Sequence, residues 1–397
     1  MYSDSDVLAA VPETLRPSVK KIPAGMRRRK YRADASLPFL RRQLDRLKND
    51  SQYFRSAVQL AFALLCIWIG VEFHLFMRWG LSAGTEPYVQ RPPGVEGFLP
   101  ISALMGALHW FYGGALNAVH PAGTVILIAI VAVSVLMKKS FCSWLCPVGT
   151  LSESLWLAGQ RLFGRTFIVW RWLDYPLRSL KYLLLLFFVY AIGAMSLQEL
   201  DIFIKSPYNK VADIKMYLFF ADITPFALWT ILILMMLSVV IKNFWCRYLC
   251  PYGALLGITG LFSPLRITRT KASCIDCELC TKVCPSNILV HRIGERNGGT
   301  AGQVWSDECT SCLRCVEECP VKETLVLRAR KESAAVPSWM MGALVGGVFI
   351  AVTGMGMLAG AWHNAVSKEE YLFRFQRLDS PLYHHAQGSV PAYGPND

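Results

Sequence analysis

Five stretches of the chain stay apolar for long enough to cross a bilayer, which takes roughly 20 helical residues. They are Ala57–Trp79, Val119–Met137, Lys181–Ser196, Ile223–Ile241 and Ser338–Trp362, the third being the shortest. Four shorter apolar stretches, Phe98–Tyr112, Met216–Phe226, Val148–Phe163 and Ala254–Leu265, predict helices that lie at the interface or re-enter. Phe98–Tyr112 is the candidate for a sixth span. Between the fourth and fifth spans, residues 266–331 form a polar, cysteine-rich island with a turn signal at Asn297–Gly298–Gly299. The pattern predicts a mainly α, polytopic helical membrane protein.

Composition agrees. Of 397 residues, 53% are hydrophobic and 17% charged, where a soluble protein carries about a quarter charged. The first span follows about 56 polar residues, which predicts no cleavable secretory signal.

Charge predicts orientation. Residues 16–48 hold twelve Lys/Arg against two Asp, so residues 1–56 read as a basic cytoplasmic arm able to meet anionic headgroups. Lys138 to Lys181 carries seven basic and two acidic residues, as an inner loop should. Segments 80–118 and 198–222, and the tail 363–397, each carry more acid than base and fall outside. The predicted location is the inner (cytoplasmic) membrane, with residues 338–362 as the last span and the C-terminus on the periplasmic or outer side. A basic stretch beside a membrane span argues against nucleic acid as a partner.

Twelve of the thirteen cysteines cluster on the predicted reducing side, where thiols act as ligands and disulfides do not persist. The leftover Cys66 lies mid-span and reads as a small core residue.

The chain repeats itself. Val133–Leu151 aligns with Leu237–Leu255 at nine identical positions of nineteen, including Lys138/Lys242, Cys142/Cys246, Cys146/Cys250 and Pro147/Pro251. Residues 57–265 thus read as a membrane domain of two parallel repeats, each ending in Cys-x3-Cys-Pro. Residues four apart share a helical face, and proline disfavours helix just before it. Each pair should therefore project two sulfurs the same way where a helix ends. Cys142, Cys146, Cys246 and Cys250 are candidate thiols for a further metal or cluster, or for a dithiol relay; two inert helix ends inherited by duplication is the alternative.

The most specific pattern is Cys274-x2-Cys277-x2-Cys280-x3-Cys284-Pro285, repeated as Cys309-x2-Cys312-x2-Cys315-x3-Cys319-Pro320. This is the bacterial ferredoxin run, in which the fourth cysteine ligates the other cluster. Residues 266–331 are expected to be a small α+β, ferredoxin-like domain with two [4Fe–4S] clusters. Cys274, Cys277, Cys280 and Cys319 would hold one; Cys309, Cys312, Cys315 and Cys284 the other. Zinc also binds four cysteines, but usually as two separated pairs. His74, His109, His120, His363, His384 and His385 fall on the outer side and His291 inside. There is no Cys-x-x-Cys-His haem motif and no dinucleotide fingerprint.

Over roughly residues 55–330 these spans and motifs resemble the membrane polyferredoxins typified by NapH, with NosR-type and FixG-type proteins as relatives. The resemblance implies electron transfer between the quinone pool and a redox partner, such as a periplasmic reductase or cytochrome, with a quinol dehydrogenase-type role. By its length on either side of these motifs, the chain is expected to lack the flavin-binding domain of NosR-type proteins and the C-terminal β-domain of FixG-type ones. Two other roles stay open: a metal (copper) reductase or oxidase assembly factor of FixG type, and a redox-sensing membrane anchor.

Overall fold

The computed structural model describes residues 20–22, 26, 31, 36–164, 167, 169–294, 301–329, 333–383 and 390–394. Most of the basic arm, the turn at Asn297–Gly299, and His384 and His385 lie outside these.

The protein is mostly helical. Among the described residues, three helices are long and apolar enough to span a membrane: Ser51–Leu81, Trp172–Gly193 and Ser338–Leu358. A fourth candidate is a bent pair, Ala212–Ala221 and Pro225–Val240, which meet at 82°. Pro121–Met137 has only 17 residues, about 25 Å at 1.5 Å per residue, short of a full hydrocarbon core. The helix predicted from Lys181 begins ten residues earlier, at Arg171. An apolar window misses that start because its first turns carry Asp174, Arg178 and Lys181. Asp174 is held there by Arg178, Arg247 and the Tyr248 hydroxyl.

The chain forms two compact units. The first comprises Met1–Ala63, Val131–Tyr182 and Met235–Gly347; the second comprises Leu64–Ile130, Leu183–Leu234 and Val348–Asp397. In the first, a three-stranded antiparallel sheet has β1 (Arg266–Thr270) between β2 (Ala301–Gln303) and β3 (Leu325–Arg328). Ile267 pairs with Leu327 and Thr268 with Gln303. Two one-turn helices, Leu279–Lys282 and Arg314–Glu317, follow the middle cysteines of the two runs. The basic arm touches this module: Lys20 N–H donates to Ile275 O, Lys20 Nζ pairs with Asp276 at 3.2 Å, and Lys322 N–H donates to Met26 O.

The second unit is built on an aromatic core in which Phe76, fully buried, packs on Tyr371 and Phe375 with centroids 5.2 and 5.5 Å away. It also buries Arg91, whose charge is met by Glu96 at 2.8 Å and by Asp213. His120 Nε2 lies 2.7 Å from Asn209 O. Two more of the histidines expected to face outward are engaged locally, His109 lying 3.4 Å from Asp201 and His74 2.6 Å from the Tyr217 hydroxyl.

Candidate iron–sulfur centre

Each ferredoxin run wraps a space because its backbone alternates hand. Asp276 and Glu278, on either side of Cys277, have positive φ (57° each); Ser311 and Leu313, on either side of Cys312, have φ 48° and 59°. Non-glycine residues visit this region rarely, and here four do so at equivalent positions. Alternating hands turn successive backbone N–H groups to one side, a concavity suited to an anionic group. The run thus aims both thiols and amides inward.

The two cavities that result are each assembled from both runs. One is bordered by Cys274, Cys277, Cys280 and Cys319, with His291 and Arg269 on its wall. The other is bordered by Cys284, Cys309, Cys312 and Cys315. Seven of these eight cysteines are buried, Cys274 being half-buried. Among the described residues no three His, Cys, Asp or Glu side chains converge on a single metal ion. Thiols that border a space, rather than close on a point 2.3 Å away as in a zinc site, suit a larger inorganic core. Burial pushes the Cys280 and Cys284 thiols up to about 12 and raises Cys277, Cys309 and Cys315 as well. To serve as thiolate ligands these buried sulfurs would need a cationic partner, which iron would provide. The donor set fits [4Fe–4S].

The paired Cys-x3-Cys-Pro segments lie in the same unit, and each helical turn ends just before its second cysteine, where a following proline disfavours helix. The first pair sits on a helical turn, Phe141–Trp144, that stops before Cys146. The second sits on a π-helical turn, Trp245–Leu249, that stops before Cys250. Cys146 (ψ 120°) and Cys250 (ψ 109°) are extended, and each caps the next helix by accepting a bond from the N–H of Gly149 or Gly253. Cys142 and Cys246 border one common cavity, which Cys312, Lys139 and Glu308 also line, and the sulfurs of Cys146 and Cys250 lie near enough to act on both thiols. Burial is the main influence on both thiols, pushing them up; Lys139 pulls down against it. Burial also disfavours the Lys139 ammonium, but Glu308 and the sulfurs of Cys142, Cys250 and Cys246 outweigh it and keep the lysine charged.

Both repeats reach into the ferredoxin loops. Ser143 Oγ donates to Thr310 O at 2.7 Å and Trp144 Nε1 to Ser311 O at 3.2 Å. The repeat-related lysines do equivalent work. Lys138 Nζ donates to the carbonyls of Val304 and Ser306, just before Cys309; Lys242 Nζ donates to those of Lys282 and Cys284. Both therefore fasten the loops of the Cys284/Cys309 cavity. Sequence comparison marked these lysines as identical in the repeat but gave no reason for them. Glu153, Arg55 and Arg314, which tie the same region together, carried no sequence signal beyond being charges near apolar stretches.

A duplicated thiol-bearing membrane segment joined to two four-thiol cavities defines a ferredoxin-type iron–sulfur protein associated with apolar helices. Residues 119–166 and 223–269, one in each repeat, match the family described as a 4Fe–4S binding domain, and residues 273–322 match the 4Fe–4S dicluster domain. The chain is 44% identical to YccM of Escherichia coli K12, which carries the name of an electron transport protein, over 80% of this chain and 88% of that protein. It is 29% identical to the ferredoxin-type protein NapH of Haemophilus influenzae over 52% of this chain and 67% of NapH. It is 32% identical to NirI of Paracoccus denitrificans over 49% of this chain but only 27% of NirI. No solved structure matches. The chain belongs to the family of ferredoxin-type electron-transport proteins that includes YccM and NapH.

Proposed function

We propose that this protein is a membrane subunit passing electrons between the quinone pool and a redox partner, a quinol dehydrogenase-type role. Cys274, Cys277, Cys280 and Cys319 hold one [4Fe–4S] cluster; Cys309, Cys312, Cys315 and Cys284 hold the second. Each cluster, when bound, takes or gives one electron at a time, so two let a quinol's pair separate. Five spans are proposed, with Pro121–Met137 and the bent pair completing the set. The arm (1–56) and ferredoxin module (266–331) then lie on the cytoplasmic side of the inner membrane and the 363–397 tail on the outer side, following the excess of Lys/Arg in the inner loops.

The observation that carries the reading is the crossed composition of the two cavities, three thiols from one run and one from the other. Such crossing couples the two sites within one rigid module. Lys138 and Lys242 hold the loops around one of them, and Ser143 and Trp144 dock them on the first Cys-x3-Cys-Pro turn. The test is anaerobic purification in nanodiscs. About eight iron per chain, with clusters reduced by a quinol analogue, are expected; zinc without acid-labile sulfide, or clusters inert to every quinol tried, would sink the proposal.

A second reading, metal reduction of FixG type, is favoured by the cavity that Cys142 and Cys246 share with Cys312. Replacing Cys142 and Cys246 by serine separates the two. Loss of Cu(II) reduction, with quinol oxidation and both ferredoxin clusters intact, selects the second reading; about twelve iron in the unmodified protein would place a third cluster at these thiols.

A further inference from the structure

The helix Phe39–Asn49 (FLRRQLDRLKN) buries none of its residues. At 100° per residue, Phe39, Leu40, Leu44 and Leu47 fall in one arc of about 140°. Arg41 and Lys48 flank that arc on one side, Arg42 and Arg46 on the other. Phe39 and Leu40 are 71% exposed and Leu44 50%. An isolated helix of 11 residues with an open apolar stripe is marginal in water.

Its position says what covers the stripe. A single residue, Asp50, separates this helix from Ser51–Leu81, an apolar candidate span. Asp50 is extended, and its Oδ1 accepts bonds from the N–H groups of Gln52 and Tyr53, so one residue ends the first helix and starts the next. The short helix is also tied to the first turn of the long one. Tyr53 Oη donates to Gln43 Oε1 at 2.5 Å, and the Arg46 guanidinium lies 6.0 Å from the Tyr53 ring centroid. On the same wheel Gln43 and Arg46 lie on either side of Phe39, so these contacts take the Phe39 end of the arc and leave its Leu40–Leu44 end clear. Leu47 lines a cavity with Phe54 and Trp339, while Leu40 and Leu44 stay open beside the start of the candidate span. Four cations against one anion, Asp45, complement a negative surface.

We propose that Phe39–Asn49 is an interfacial helix that lies in an anionic lipid leaflet, its leucine stripe at the acyl boundary and its arginines among the headgroups. The proposal needs only that Ser51–Leu81 spans a membrane and is independent of the electron-transfer reading.

Hydrogen–deuterium exchange of the full chain tests it, in nanodiscs of phosphatidylcholine alone and of phosphatidylcholine with phosphatidylglycerol. The amides of residues 41–49 should exchange at least tenfold more slowly in the anionic discs, while those of Ser51–Leu81 stay the same in both. The variant R41Q/R42Q/R46Q/K48Q should lose the difference between lipids, and F39S/L40S/L44S should lose protection in both. Equal exchange of unmodified protein in the two discs overturns the proposal, whatever the variants do. Protection that rises with protein concentration would also overturn it, since a second copy would then be the cover.

Discussion

Glu153 joins three parts of the first unit. It sits on the Pro147–Phe163 helix, 7% exposed. Arg55 of the Ser51–Leu81 helix grips it with two bonds, of 2.6 and 2.8 Å, and Gln59 adds a third at 3.1 Å. Arg314, which lies between Cys312 and Cys315, reaches the same carboxylate at 2.6 and 2.8 Å. Burial by itself would push this carboxyl up, but the Arg55 bonds and the charges of Arg55 and Arg314 overcome it and hold it down at about 2, from 4.5. At 1.36 kcal/mol per decade, that fall is worth roughly 3 kcal/mol of preference for the charged form. The variant Glu153→Gln keeps the shape and removes the charge, leaving two guanidiniums without their counter-ion. Breaking such a buried cluster costs about 3–5 kcal/mol.

In a unit of this size each kcal/mol shifts Tm by roughly 2–4 °C, so E153Q should melt at least about 6 °C below the unmodified protein. The assay is a thermal scan of anaerobic protein in nanodiscs, following loss of the iron–sulfur visible absorption. A carboxyl held low in the folded state stabilises fully above its unfolded value of 4.5 and loses that increment as pH falls through about 2. The gap between the two proteins should therefore be constant near neutrality and begin to narrow only below about pH 4.5. A Tm within about 2 °C of the unmodified protein, at full iron content, would refute the argument that this ion cluster holds the module to its helices.

Two further outcomes follow from the geometry. Cys319→Ser should cost the site of Cys274, Cys277 and Cys280, not that of its near neighbour Cys315: about four iron should remain, with an unchanged spectrum for the Cys284/Cys309 site, and loss of the latter would contradict the crossing. Gly159→Ala would place a Cβ 2.0 Å from the Val239 carbonyl oxygen, where only backbone movement can relieve the clash. A loss of about 1–3 kcal/mol is expected for such overpacking, read as a lower Tm, and a neutral result would show that the Pro147–Phe163 helix packs elsewhere.

Sequence alone determined the covalent logic of the protein. Cysteine spacing names its ligand chemistry, because three thiols within seven residues can hold only what a tight loop can wrap. Apolar length names its solvent, because every backbone group in hydrocarbon must be paired within a helix. The repeat declared itself through Lys138/Lys242 and Cys142/Cys246, since spacing survives in a linear string. Tertiary structure decided what depends on hand and on distant partners. The left-handed residues around Cys277 and Cys312 carry no glycine to mark them, so the wrap was invisible. The ends of the two helical turns just before Cys146 and Cys250 were legible from the following prolines, but that each of these cysteines caps the next helix was not. The start at Arg171 and the roles of Glu153 and Lys139 were hidden for one reason. A buried charge looks like a surface charge until its counter-ion, many residues away along the chain, is in place beside it.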